Sequence, residues 1–172
     1  MRKAFSLVVI AMLGVLAFGQ ETPLMDTEVA SVAVVANQID IDYAQIALEK
    51  SNNKEILDFA NRMVKDHNAV IAQAVALVKK LGVNPKDNTV SQSLLADAEK
   101  TKKKLKRTAE KKFDEAYIDN EVAYHKAVIG AVKNLLIPET ENSELKELLS
   151  AVVPALEAHL GHAEMVQKNI KG

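Results

Sequence analysis

Residues 54–81, KEILDFANRMVKDHNAVIAQAVALVKKL, place Ile56, Phe59, Ala60, Met63, Val70, Ala74, Leu77 and Leu81 on one helical face. Steps of three and four residues mark an amphipathic α-helix, not a strand. SNN at 51–53 bounds the run on one side, and Gly82 with Asn84-Pro85 closes it on the other. A single apolar stripe on a helix this long has to be covered by other long helices, so the chain is constrained to a helical bundle.

The rest of the chain repeats the pattern. Helix A is expected from Asp26 or Thr27, either of which can act as N-cap, to about Lys50 on Val32, Val35, Ala36, Ile39, Tyr43 and Ile46. The short turn at 51–53 makes it an antiparallel partner of the 54–81 helix. From Thr89 or Ser91 to about residue 112 a connector helix has only a thin apolar stripe and a lysine run. Helix C follows on Phe113, Tyr117, Val128, Val132 and Leu135; Pro138 and ETENS form a loop. Helix D runs from about Ser143 on Leu145, Leu148, Leu149, Val152, Leu156, Ala163, Val166 and Ile170, with Pro154 expected to kink or split it. No period-two run argues for a strand.

In three of these stripes a histidine fills a core position: His67, His125 and His159. A buried imidazole without a partner costs on the order of 1–3 kcal/mol, so each calls for a carboxylate, a carbonyl, a water or a metal. Reflecting helix A onto its partner through 51–53 brings residues 38–40 level with His67, which nominates Asp40. Glu121 precedes His125 by four residues and shares its face, and His159 falls near the height of Glu121. Asp66 adjoins His67 but points about 100° away around the helix. If the connector returns the chain along the bundle, His67 and His125 lie at similar depth. Inward-facing side chains on neighbouring helices are how bundles build metal sites. The expected ligand set is therefore His67, His125, His159, Asp40 and Glu121, for zinc, iron or copper. Met63 and Met165 leave a softer copper site open, though methionines at helical spacing also serve as core filler.

Composition narrows the function. Residues 1–19 carry Arg2 and Lys3, then an apolar run, then Ala17 and Gly19 before Gln20. This is the layout of a signal peptide, short for a membrane span, so the chain is expected in the periplasm or cell envelope with residues 20–172 as one domain. The chain has no cysteine, which excludes disulfides, thiolate ligands and a thiol nucleophile. Removing Arg2 and Lys3 from the 22 basic residues leaves 20 against 23 acidic ones, and aromatics are 4 % of the chain. Neither favours nucleic acid. No glycine elbow, triad spacing or phosphate-cradling loop is present, so no catalytic residue is nominated. The lysines of residues 100–112, including Lys102, Lys103, Lys104 and Lys106, form a solvated face or a weak docking surface for anionic envelope material.

IDIDYAQIALEK, ILDFANRMVKDHNAV, KKFDEAYIDNEVAYHKAVI and LKELLSAVVPALEAHLGHAEMV resemble the secreted bacterial family called domain of unknown function 4142, over about residues 26–168. The resemblance rests most on FANRMVKDH at 59–67, FDEAYI at 113–118 with His125, and PALEAHLGHA at 154–163. It implies an all-α, ferritin-like four-helix bundle with an extra connector helix, an envelope location, and His67, His125 and His159 as motif histidines. It implies no activity. Diiron members of the ferritin-like class carry Glu-x-x-His pairs, and this chain has none. Three functions follow in order: an exported bundle that binds a transition metal; a structural or interaction module of the envelope, whose histidines form a buried polar network; and a redox enzyme of ferritin-like type.

Overall fold

The computed structural model describes residues 23–172, all of them helix or connecting turn. The signal-peptide expectation for 1–19 lies outside the described residues. Helix α1 spans Asp26–Lys50, α2 Lys54–Leu81, α3 Thr89–Arg107, α4 Glu110–Ala131 and α5 Ser143–Lys171.

Asparagine starts three of the five helices. The side chain of Asn53 accepts from the Glu55 N–H, that of Asn88 from Val90 and Ser91, and that of Asn142 from Leu145. Each satisfies N–H groups that the first helical turn leaves without an intrahelical acceptor. Helix α1 differs from expectation: Met25 is its N-cap and offers no side-chain bond to it. Asp26 is used elsewhere. Its carboxylate accepts from the Glu141 N–H at 2.9 Å and the Asn142 N–H at 3.0 Å, tying the start of α1 to the turn before α5. Gly82 ends α2 with φ 66°, and the Val83 N–H returns to the Val78 carbonyl at 3.1 Å. That left-handed closure suits glycine.

Two proline effects depart from the sequence reading. Pro154 lies inside α5, but the helix runs unbroken through it. Ahead of Pro138, α4 widens into a π-helical turn over Val132–Leu136 before a last turn at Ile137–Glu139. Proline has no N–H to give the regular ladder, and a π turn is one way the chain absorbs the lost bond.

Helices α1, α2, α4 and α5 form the bundle, and α3 packs along the outside of α1. Polar ties fix the directions. The Asn88 side chain donates to the Glu28 carbonyl near the start of α1, and Lys50 at its end donates to the carbonyls of Lys106 and Thr108. So α3 runs parallel to α1 and carries the chain back to the end where α2 began. Ser51 bonds Asp114 at 2.6 Å there, so α4 runs parallel to α2, diagonally across the bundle from it. Gln167 to Asp119 and Asn169 to Glu55 bring the end of α5 to the same place.

The interior has two apolar parts. One gathers Phe59, Met63, Phe113, Tyr117, Ile118 and Ala163; the other gathers Val29, Val32, Leu136, Leu145, Leu149 and Leu156. Each fully buried large side chain contributes about 1.5–3 kcal/mol through removal from water. Along their helices His67, His125 and His159 lie between the two parts, and the buried Asp40 and Glu121 sit among the edge residues of the first part. No described helix is long and apolar enough to cross a membrane.

Candidate metal centre

Four helices deliver the polar layer. Asp40 comes from α1, His67 from α2, Glu121 and His125 from α4, and His159 from α5. All five are buried to 4 % exposure or less. The imidazoles form a near-regular triangle, with ring centroids 5.9 Å apart for His67–His125, 5.3 Å for His67–His159 and 5.6 Å for His125–His159. One nitrogen from each lies within 4.8 Å of the other two, and Asp40, Glu121 and His125 offer a second such trio.

Each ring is oriented through its other nitrogen. His67 Nδ1 donates to Asn37 Oδ1 at 2.7 Å, His125 Nδ1 donates to the Glu121 carbonyl at 3.0 Å, and His159 Nε2 donates to Asp66 Oδ2 at 2.9 Å. These acceptors set the tautomers, so His67 Nε2, His125 Nε2 and His159 Nδ1 keep lone pairs. None of those three nitrogens has a hydrogen-bond partner, and neither does either oxygen of Asp40 or Oε2 of Glu121. Asp40 Oδ2 stands 3.5 Å from both His67 Nε2 and His125 Nε2, and Glu121 Oε2 stands 3.7 Å from His125 Nδ1.

Buried polar atoms without partners are rare, and six of them at one level of a bundle require a reason. Burial suppresses their charge. It pushes the Asp40 carboxyl up to about 8. Burial, then the Asp40 charge, holds Glu121 well above the usual carboxylate range. Burial, then the neighbouring imidazoles of His159 and His125, takes His67 down to about 3. Burial takes His125 down to about 4 against the pull of its bond to Glu121. His159 is lowered by burial, with Asp66 opposing. At neutral pH the cluster is therefore an uncharged set of nitrogen lone pairs beside two carboxyls. A cation placed among them would reverse the balance and draw both carboxyls to their charged forms.

The donor set fits a borderline transition ion. Neutral imidazole and carboxylate suit zinc, iron, nickel and copper(II), and the fixed second nitrogens are the outer arrangement that metal-ligating histidines carry. Around an ion at about 2.1 Å, tetrahedral donors stand roughly 3.4 Å apart.

The structure brings all five nominated residues together. It adds two that sequence reasoning did not nominate, Asn37 and Asp66. Asn37 precedes Asp40 by one turn and shares its face. Asp66 does point away from α1, but a bundle helix has two neighbours, and the 100° offset aims it at α5. It also accepts from Arg62 Nε at 3.3 Å. The softer alternative gains nothing: Met63 is in the Phe59 core and Met165 is 55 % exposed. His162 packs its ring against Phe59 at 5.2 Å. On α3, Lys102 pairs with Asp42 and Glu99 and Lys100 with Asp97, while Lys103, Lys104 and Lys106 are exposed.

These features define an all-helical bundle with a buried layer of histidines and carboxyls. The chain belongs to the family described as a domain of unknown function, DUF4142, which matches residues 15–166. Among solved structures it is similar to CopM in the Cu(II)-bound form, with a TM-score of 0.63 and 17 % identity over 86 % of this chain and 99 % of that one. At that identity the likeness is one of fold. No curated protein sequence matches the chain.

Proposed function

We propose that the protein is an exported helical bundle that binds one divalent transition-metal ion through His67 Nε2, His125 Nε2 and His159 Nδ1. Asp40 completes the ligand set and Glu121 supplies a second carboxyl beside it. The observation that carries this reading is the pairing on each ring: one nitrogen held by an acceptor, the other buried and without a partner. A polar network that served only to fix helix register would pair those atoms with one another.

Copper(II) is the leading ion. It binds nitrogen and oxygen donors most tightly among the first-row divalent ions, and CopM, the solved structure of similar fold, is in a Cu(II)-bound form. Zinc is the next candidate. The arginine, lysine and apolar run of the first nineteen residues support export. The role we assign is binding.

The test is a titration of chelator-stripped protein with Cu(II) and with Zn(II), followed by calorimetry and, for Cu(II), by the nitrogen hyperfine pattern of its electron paramagnetic resonance. One ion per chain with imidazole nitrogen coordination is expected. The variant H67A/H125A/H159A should lose the site. If it binds as many ions as tightly while keeping its helical circular dichroism, the assignment is wrong.

A further inference from the structure

The histidine layer is one end of a larger space. A cavity of about 650 Å³ runs between the bundle helices and is lined by His67, His125, His159 and Asp40 at that end. On α5 its lining extends from Leu145 to His159, which at about 1.5 Å per residue is roughly 21 Å. The space is therefore elongated along the bundle. Its cause is in the sequence. Ala30, Ala33, Ala74, Ala127, Ala131 and Ala155 line it where bundle positions commonly carry leucine, and these small side chains leave unfilled the space between helices whose separation larger neighbours set.

The lining is sorted by polarity. Beyond the histidine layer the α5 wall is Leu145, Leu148, Leu149, Val152, Ala155 and Leu156, and the α4 wall from Ala127 to Leu136 is likewise apolar. Gln73 is the polar exception at that end. Ala127 and Ala131 are exposed, so the space is not sealed from solvent. Pockets of this size with apolar walls and a few convergent polar groups are the usual form of small-molecule sites.

The polar end also states what head group it takes. Asp40, Asp66 and Asp97 line the cavity, and no lysine or arginine does. An anionic head finds no cation there. The unpartnered imidazole nitrogens are acceptors that want a donor.

We propose that this cavity binds an elongated apolar molecule ending in an uncharged, hydrogen-bond-donating hydroxyl group, of the long-chain alcohol or phenol class, with the hydroxyl at the histidine layer and the tail along Leu149 and Leu156. The nitrogens that would accept the hydroxyl are those assigned to the ion above, so this is a site of the metal-free protein and its test, run without metal, reads it apart from metal binding.

The chain lacks tryptophan, so Leu148→Trp on the cavity wall gives a single fluorescent reporter. Chelator-stripped L148W protein is titrated with decan-1-ol and, in parallel, with decanoate. Saturable binding of one decanol per chain is expected, with decanoate at least tenfold weaker. Ala74→Leu and Val128→Phe, which fill the space from different helices, should each weaken decanol at least tenfold while the thermal melt stays cooperative. Absence of saturable decanol binding, or unchanged affinity in a filling variant that still melts cooperatively, overturns the site. Equal affinity for decanoate overturns the assigned head group.

Discussion

Asp40→Asn should stabilise the metal-free protein while weakening its hold on metal. Asp40 is 1 % exposed with both oxygens unpartnered, and burial raises its carboxyl from 3.8 to about 8. A raised folded-state value means the group binds a proton in the native state that it lacks when unfolded. Its contribution to stability is therefore fully present below about 4 and is lost as pH rises through about 8. At pH 7 the interval above 3.8 is about three units, which at 1.36 kcal/mol each sets a ceiling of about 4 kcal/mol. Relaxation and water entry reduce such penalties, so we expect a gain of about 1–3 kcal/mol for the variant. The introduced amide faces the acceptor nitrogens His67 Nε2 and His125 Nε2, which stand 3.5 Å from Oδ2 and come within bonding distance on a small shift. Urea unfolding of chelator-treated protein at pH 4.5, 6, 7 and 8 measures the difference. The advantage should be near zero at pH 4.5 and grow with pH. Added Cu(II) or Zn(II) should then stabilise the parent more than the variant, because the stabilisation grows with the logarithm of the ion's affinity for the native state. A variant that is less stable than the parent at pH 8 without metal would refute the reasoning, since Asp40 would then be a contributor to the fold and not a group held at its expense.

Other consequences can be checked alongside it. Asp66→Asn leaves His159 without its charged acceptor and should weaken metal binding about 10-fold or more in competition calorimetry; unchanged affinity would show that Asp66 does not orient the ring. In the Asp40→Asn background, stability should fall as pH drops from about 6.5 toward 4, because His67 and His125 have lowered folded values of about 3 and 4 and the unfolded chain takes up protons first; a flat thermal-unfolding profile over that range would contradict their burial. Phe59→Ala should cost about 3–5 kcal/mol in urea unfolding, since Phe59 is fully buried at the centre of one core. Asn142→Ala removes the acceptor for the Leu145 N–H and should cost about 0.5–2 kcal/mol in the same assay.

The helices were legible because each bundle helix keeps one uninterrupted stripe, and because SNN, Gly82 and Asn84-Pro85 punctuate it. The convergence of the histidines was legible for the same reason. A histidine on a stripe faces the interior, and short turns fix relative height. What the stripe hides is the flank. Asp66 and Asn37 lie at the edge of their helices' apolar faces, where residues are usually solvated, and only the positions of two neighbours reveal that both edges are covered. The π turn at Val132–Leu136 leaves no periodic signature because one widened turn shifts the stripe by a single residue. Asp26 looked like a cap for its own helix, and its actual partners at Glu141 and Asn142 are more than a hundred residues away. Pro154 reads locally as a breaker, but packing on both sides keeps α5 continuous.

The order of the chain divides the donor set. Asp40 and His67 belong to the α1–α2 hairpin, and Glu121, His125 and His159 to the α4–α5 hairpin, with α3 as the strap between. The proposed three-histidine site draws on both hairpins. An ion seated at the layer is thus a rivet through the seam between two halves, and its loading reports whether those halves are clamped together.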